Sequence, residues 1–207
     1  MVSIVSETKS RPKRLTKAAR RQQLLEVAKA VLENGDADAL TLAVLAERAN
    51  VSKPIAYDHF GTRSGLLIAL IEDTSRYYET DAETKIAHAP ATVSAIAEIV
   101  ATAYIHCALD AGPALTVLAA AVEANSDARN AGRAVQSNHA ESFRRAFERV
   151  LDEPADQMTS LYKGLVAAAN SICDDRHQQK ITTQAAIETL THLLVTSLSP
   201  FARSGCA

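Results

Sequence analysis

Tryptophan is absent from the 207-residue chain, and tyrosine and phenylalanine supply only 4% of it. So little aromatic surface speaks against a cage for a large flat cation, although Glu98 and Glu123 remain available to one. Glycine (7 residues) and proline (6) are scarce as well, so the chain has few of the breaks that a loop-rich or strand-and-turn fold requires. The three cysteines, Cys107, Cys173 and Cys206, are odd in number and lack paired spacing, which excludes a disulfide framework and suits a reducing cytoplasm. No period-two alternation marks a strand. No Gly-rich phosphate loop, nucleophile elbow or spaced carboxylate pair singles out a catalytic centre, so no enzymatic activity, cofactor or metal is expected. The opening residues, MVSIVSETKSRPKRL, hold no apolar run of signal-peptide length. The apolar region from Ala95 to Val122 is interrupted by Glu98, His106 and Asp110, so neither export nor a membrane span is expected, and the protein should be soluble and cytoplasmic.

What is present favours helices. Hydrophobic residues make up 47% of the chain, and the balance of Ala, Leu, Glu and Arg over strand formers predicts an all-α protein long enough to bury a sizeable core. The net charge of −2 conceals an asymmetry. Residues 1–63 carry eleven basic and seven acidic side chains, for +4, which leaves −6 for the remainder. Positive charge gathered at one end of an otherwise acidic chain is the distribution expected of a nucleic-acid reader with a separate acidic body.

The stretch TLAVLAERANVSKPIAYDHF, from Thr41 to Phe60, reads as two short helices joined by a tight corner. Thr41 caps the first, whose stripe is Leu42, Leu45, Ala46 and Ala49. Asn50 ends it in a left-handed conformation, and Val51 plugs the corner. Ser52 offers a hydroxyl cap to the second helix, where Pro54 is tolerated in the first turn. Gly61 closes that helix, and Thr62 caps a third carrying Leu66, Leu67, Leu70 and Ile71. Two crossed helices with small residues at the crossing can set the second into a major groove. On that second helix Lys53, Tyr57, His59 and the following Arg63 offer donors to phosphate oxygens, and Lys53, Pro54 and Ile55 lie at the front, toward base edges. Asp58 shares that surface, and the Thr41 hydroxyl with its neighbouring amides is a further phosphate site. The same pattern also fits a solvated helical hairpin within an ordinary α-domain.

Taken with the preceding helix, this region resembles the TetR family of transcriptional regulators. The matching residues are Leu24, Leu25, Ala28, Val31, Leu32 and Gly35, then Thr41, Leu45, Ala46, Ala49, Val51 and Ser52, and finally Tyr57, Phe60, Arg63, Leu66 and Leu67. They cover about a third of the chain and are specific as a group. The sequence departs from the family pattern at Asn50, where Gly is usual, at Ala56, where a larger apolar residue is usual, and at Arg63, where Lys is usual. The Ala56 change leaves the packing beneath the recognition helix thinner. The resemblance implies a homodimer in which each recognition helix enters one major groove of double-stranded DNA, with Tyr57 and His59 of the YDHF segment touching phosphate.

The expected organisation is a mobile basic arm over residues 1–15, a three-helix DNA-binding module over 16–63 with its helix-turn-helix at 41–60, a connector helix over 64–90, and a helical regulatory and dimerisation domain over 91–207. The arm is either a solubilising tail or a contact to phosphate or the minor groove. The first helix runs from about Lys17 to Asn34 and is stopped by Gly35. A later helix from Thr92 ends at Gly112 and Pro113, another follows to about Ala124, and a long one runs from Ser126 to Leu151. Pro154 restarts the chain into the last two helices. These carry Met158, Leu161, Tyr162, Leu165 and Ile172, then Ile187, Leu190, Leu194 and Leu198. Leu193 and Val195 widen their apolar faces, and Gly164 and Ala167 to Ala169 permit close approach, so a four-helix homodimer interface is expected there.

His106 beside Cys107, and the run from Cys173 to His177, lack the spacing of metal ligands. Polar or aromatic residues on otherwise apolar faces are the candidate lining of a small-molecule cavity: Tyr104, His106, His139, Phe143, Phe147 and Tyr162. The expected function is a ligand-responsive regulator, a repressor released from a near-palindromic operator by a small-molecule effector. The alternative is a constitutive DNA-binding or adaptor protein without an effector, and a helical enzyme or ligand carrier with a basic tail stands further off.

Overall fold

A computed structural model of the chain describes residues 15–34, 39–122, 126–152 and 155–206. Among them are eight α-helices and one short 3-10 turn: α1 (Lys17–Glu33), α2 (Leu42–Arg48), α3 (Lys53–Phe60), α4 (Arg63–His88), α5 (Val93–Val122), α6 (Ser126–Phe147), α7 (Ala155–His177), α8 (Thr183–Leu198) and η1 (Ser199–Phe201). The expected all-α architecture, an amino-terminal helix-turn-helix followed by a larger helical body, is the one observed. The arm over residues 1–14, the stop at Gly35, and Glu123 and Pro154 lie outside the described residues.

Threonine starts five of these helices. Thr16, Thr41, Thr62, Thr92 and Thr182 each accept a backbone N–H three residues on, from Ala19, Val44, Gly65, Ala95 and Ala185, at 3.0–3.2 Å. Each hydroxyl satisfies an amide that the helix cannot, a contribution of about 1 kcal/mol per cap.

Two apolar clusters form the interior. The first gathers Leu24, Leu25, Ala28, Val31 and Leu32 of α1, Leu42, Leu45 and Ala46 of α2, Ala56 and Phe60 of α3, and Leu66, Leu67, Leu70 and Ile71 of α4. It also takes Ala114 from α5 and Val135 from α6, so the module is seated on the body. The second cluster surrounds α5. Val93, Ile96, Ala97, Ala101 and Ile105 are enclosed by Phe143 and Phe147 of α6, Tyr162, Leu165 and Ala169 of α7, and Leu190, Leu194 and Leu198 of α8. The Val93–Gly112 stretch is long and apolar enough to cross a bilayer, and here that apolar surface is the centre of a helical core.

Three expectations about the helices are corrected. The helix expected to stop at Gly112 and Pro113 continues to Val122, so two expected helices are one. Gly112 serves a close approach instead: a Cβ there would stand 2.8 Å from His177 Nε2 on α7. Pro113 removes one backbone donor, a loss that a long helix packed at both ends survives. The helix expected to reach Leu151 ends at Phe147, after which Leu151 pairs with Ala202 and Arg203 donates to the carbonyls of Glu148, Arg149 and Leu151. A cation bound to carbonyls at the end of α6 suits the negative end of its dipole. Finally, Ser52 makes no side-chain cap. Pro54 has no N–H to give it, and the Ile55 amide donates to the Ser52 carbonyl at 3.0 Å, leaving the hydroxyl on the surface.

Candidate nucleic-acid interface and ligand cavity

The corner between α2 and α3 is a backbone device. Asn50 has φ 51°; its amide reaches the Glu47 carbonyl at 3.0 Å, and the Val51 amide reaches Ala46 at 2.9 Å. This paired pattern around a left-handed residue turns the chain sharply while satisfying the last carbonyls of α2. Gly61, with φ 67° and ψ −58°, closes α3 at a second positive φ, in a conformation open to glycine. Gly65 is fixed for another reason, because a Cβ there would overlap the Phe60 carbonyl.

Ala56 and Phe60 point α3 inward, and Ala56 is fully enclosed. Ser52, Lys53, Pro54, Tyr57 and Asp58 are exposed, with Ile55 and His59 half-buried. Tyr57 retains 52% of its surface. Lys53 and Tyr57 are four residues apart and share a face, so a cation and a phenol stand side by side on the outer surface of the helix. Arg21 of α1 steadies the far end of α3. Its guanidinium lies 4.9 Å over the Phe60 ring, and its Nη1 donates to the His59 carbonyl at 2.8 Å. Burial, reinforced by the charges of Lys17 and Arg21, holds the His59 imidazole below its usual value against the opposing pull of Asp58. A neutral imidazole ringed by cations remains a donor for an anion.

Arg63 is placed differently from the expectation. It is half-buried and its Nε donates to the Leu40 carbonyl at 2.8 Å, tying the start of α4 to the loop before α2. Lys17, Arg20 and Arg21 were missed as part of this surface. Their signal was the positive count of the first 63 residues, but only the tertiary fold brings the beginning of α1 to the end of α3.

A cavity of about 280 Å³ opens between α4, α5 and α6. Of the expected lining residues it brings together Tyr104, His139 and Phe143, whose rings meet edge to face with Tyr104 in the middle, 5.3 Å from each neighbour. The other three are elsewhere. Phe147 and Tyr162 are closed within the second core because they face α5, α7 and α8. His106 lines a separate, smaller pocket of about 190 Å³ between α4 and α5, with Glu98, Asp81 and Lys85. The wall that sequence reasoning missed is α4, which supplies Ser75, Glu79, Ala82 and Ile86. The expectation gave residues 64–90 only a connecting role, and nothing in one helix's periodicity says that a neighbour will stand off from it.

At the bottom of the cavity three helices share a polar cluster. Ser75 Oγ is 3.2 Å from His139 Nε2 and 3.6 Å from Cys107 Sγ. Tyr104 donates to Asn170 Oδ1 at 2.8 Å. Burial pushes the Cys107 thiol up to about 11 and the Tyr104 phenol higher still, and it lowers the His139 imidazole against the raising influence of Glu79. All three side chains are therefore neutral near pH 7 and serve as hydrogen-bonding groups in an apolar wall.

A helix-turn-helix with an exposed second helix is thus joined, through one continuous helix, to a helical body that holds a cavity. Residues 24–70, which span the end of α1, the helix-turn-helix and the start of α4, match the family of bacterial regulatory proteins, tetR family. A TetR transcriptional regulator from Rhodococcus sp. RHA1 shares the fold with a TM-score of 0.70 over 88% of this chain and 97% of that one, at 15% identity. A tetR-family regulator from Streptomyces coelicolor gives 0.63 over 88% and 82%, at 18% identity. SmeT, in complex with triclosan, gives 0.63 over 91% and 94%, at 16% identity. No curated protein matches the sequence significantly.

Proposed function

We propose that the protein is a non-enzymatic, cytoplasmic repressor that binds a near-palindromic operator as a homodimer and is released by a small-molecule effector. The observation that carries this reading is the double use of α4. Its first turns lie beneath the recognition helix through Leu66, Leu67, Leu70 and Ile71, and its next turns form the cavity wall through Ser75, Glu79, Ala82 and Ile86. An occupant that moves one part of a rigid helix moves the other, and it favours whichever arrangement it binds more tightly.

In this reading Pro54 and Ile55 face base edges, Lys53 stands at the front of the helix within reach of both a base edge and the adjoining phosphate, and Thr41, Ser52, Tyr57 and His59 contact phosphate. Residues 1–15 form a basic arm, 16–63 the DNA module, 64–90 the connector, and 91–207 the sensing and dimerisation domain. Half-sites about 34 Å apart, or a multiple of that, suit two readers on one duplex. The half-buried Leu161 and Ile172 of α7, with Ile187, Leu193 and Val195 of α8, leave apolar surface beside the exposed Gly164 and Ala167. A second copy would cover them in a four-helix interface. The cavity, and the triclosan bound by SmeT on the same fold, favour an effector over a constitutive DNA binder. Selection of bound genomic fragments, followed by fluorescence anisotropy with candidate effectors, tests the reading. Specific binding that an effector weakens supports it, and the absence of any selected sequence overturns it.

A further inference from the structure

Four charged side chains line the α4–α5–α6 cavity: Glu79, Glu83, Arg145 and Arg149. They are not equivalent. Glu79 accepts the Ser142 hydroxyl at 2.6 Å and lies 4.0 Å from the Arg145 guanidinium, so those groups answer one another. Glu83 is exposed on the rim, where water screens it. Arg149, in the turn after α6, is half-buried, with no carboxylate among the described residues within ion-pair distance. Its Nη2 donates to the Ala89 carbonyl at 3.2 Å, and its Nε is buried with no hydrogen-bond partner among the described residues.

An arginine in that position cannot relieve the cost by losing its proton, because its affinity for the proton is too high. A buried donor without an acceptor is unfavourable, and the arrangement becomes favourable once an anion arrives. Between these charges and the neutral polar cluster at the bottom, the wall is apolar through Ile86, Val100, Ala103, Phe143 and Ala146. A cation placed there would meet two guanidinium groups and only one unanswered carboxylate, at the solvent edge. The planar fork of Arg149 matches the two oxygens of a carboxylate, whose charge-assisted hydrogen bonds are stronger than neutral ones. At about 280 Å³ the space is at the low end for ligand pockets, which limits the hydrocarbon body to a short one.

We infer that the cavity takes a small apolar carboxylic acid, its carboxylate on Arg149 and its hydrocarbon body along Ile86, Val100 and Phe143. This rests on the proposed sensing role of the cavity. The test is calorimetric titration of the full-length protein with octanoate, 1-octanol and octylamine. Octanoate is expected to bind at least about tenfold more tightly than the other two, a preference that Arg149→Gln abolishes while leaving octanol binding unchanged. If Arg149→Gln fails to fold, Arg149→Lys, which keeps the charge but loses the fork, should reduce the preference. Equal or tighter binding of the alcohol or amine, no binding of any of the three, or a preference that survives at residue 149 overturns the inference. DNA affinity separates the two claims. Octanoate that binds through Arg149 without altering operator affinity leaves the acid site standing and removes effector control. Release of DNA by another compound, with none of the three bound, removes the acid site alone.

Discussion

Lys29 of α1 donates to Asp73 of α4 across 2.7 Å, two residues before the cavity wall begins at Ser75. The pair fastens the DNA module to the helix that also serves the cavity. The Asp73 side chain is only 15% exposed, so it has lost much of its water, whereas Lys29 is 39% exposed and partly screened. Lys29→Met should destabilise the fold by about 1 kcal/mol, because it strands a poorly hydrated carboxylate. Adding Asp73→Asn should recover most of that loss. Urea unfolding of the four members of the mutant cycle measures the coupling, and strict additivity would show that the pair contributes nothing.

Asn50 occupies left-handed backbone space at the corner. Asn50→Gly, the residue usual in the family pattern, should therefore leave stability unchanged or slightly raised. Asn50→Ala should lower it by about 1 kcal/mol, since a Cβ without a polar group has no compensation there. Thermal unfolding of both variants decides this, and equal melting temperatures would be the contrary result.

Lys53 and Arg63 should separate cleanly. Lys53 is exposed on the recognition helix, so Lys53→Ala should weaken DNA binding at every site and flatten the salt dependence by about one unit of slope. Arg63→Ala removes the donor to the Leu40 carbonyl and should cost about 1.5–3 kcal/mol of folding stability. Anisotropy across a salt series, set beside melting curves, checks both. A salt-slope change for Arg63→Ala without loss of stability would return that residue to the phosphate contacts.

His139 should make stability depend on pH. Burial lowers its folded-state value, with Glu79 opposing, so the unfolded chain takes up a proton before the folded one does. Stability is then complete above the ordinary histidine value, near 6.5, and is lost as the pH falls below it toward the depressed folded value. His139→Gln should reduce the stability difference between pH 7.5 and 5.5. Urea unfolding at the two values tests this, and an unchanged difference would mean that His139 is not responsible.

The local features were legible in advance because their causes lie within a few residues. Threonine before an apolar stripe, Asn50 at a sharp exit, Gly61 after Phe60 and the run Leu66, Leu67, Leu70, Ile71 each announce a cap, a turn or a buried face. Their partners are three to five positions away. Ser52 shows the limit even at that range: its side chain has the right chemistry, but Pro54 removes one donor and the backbone claims the other.

By itself, then, the order of residues determined most of the helices and their ends, the helix-turn-helix and the outward face of α3, but not that α5 runs unbroken through Gly112 and Pro113. Only the tertiary structure decided that Arg63 ties down a loop, that Gly112 lets α5 pass close to α7, and that Phe147 and Tyr162 are core while Ser75 and Arg149 line a cavity. The physical reason is range. Helix periodicity says which side of a helix is apolar but not how far away its neighbour stands. A cavity is a property of that distance, set by contacts such as Ser75 with His139 and Tyr104 with Asn170, 64 and 66 residues apart.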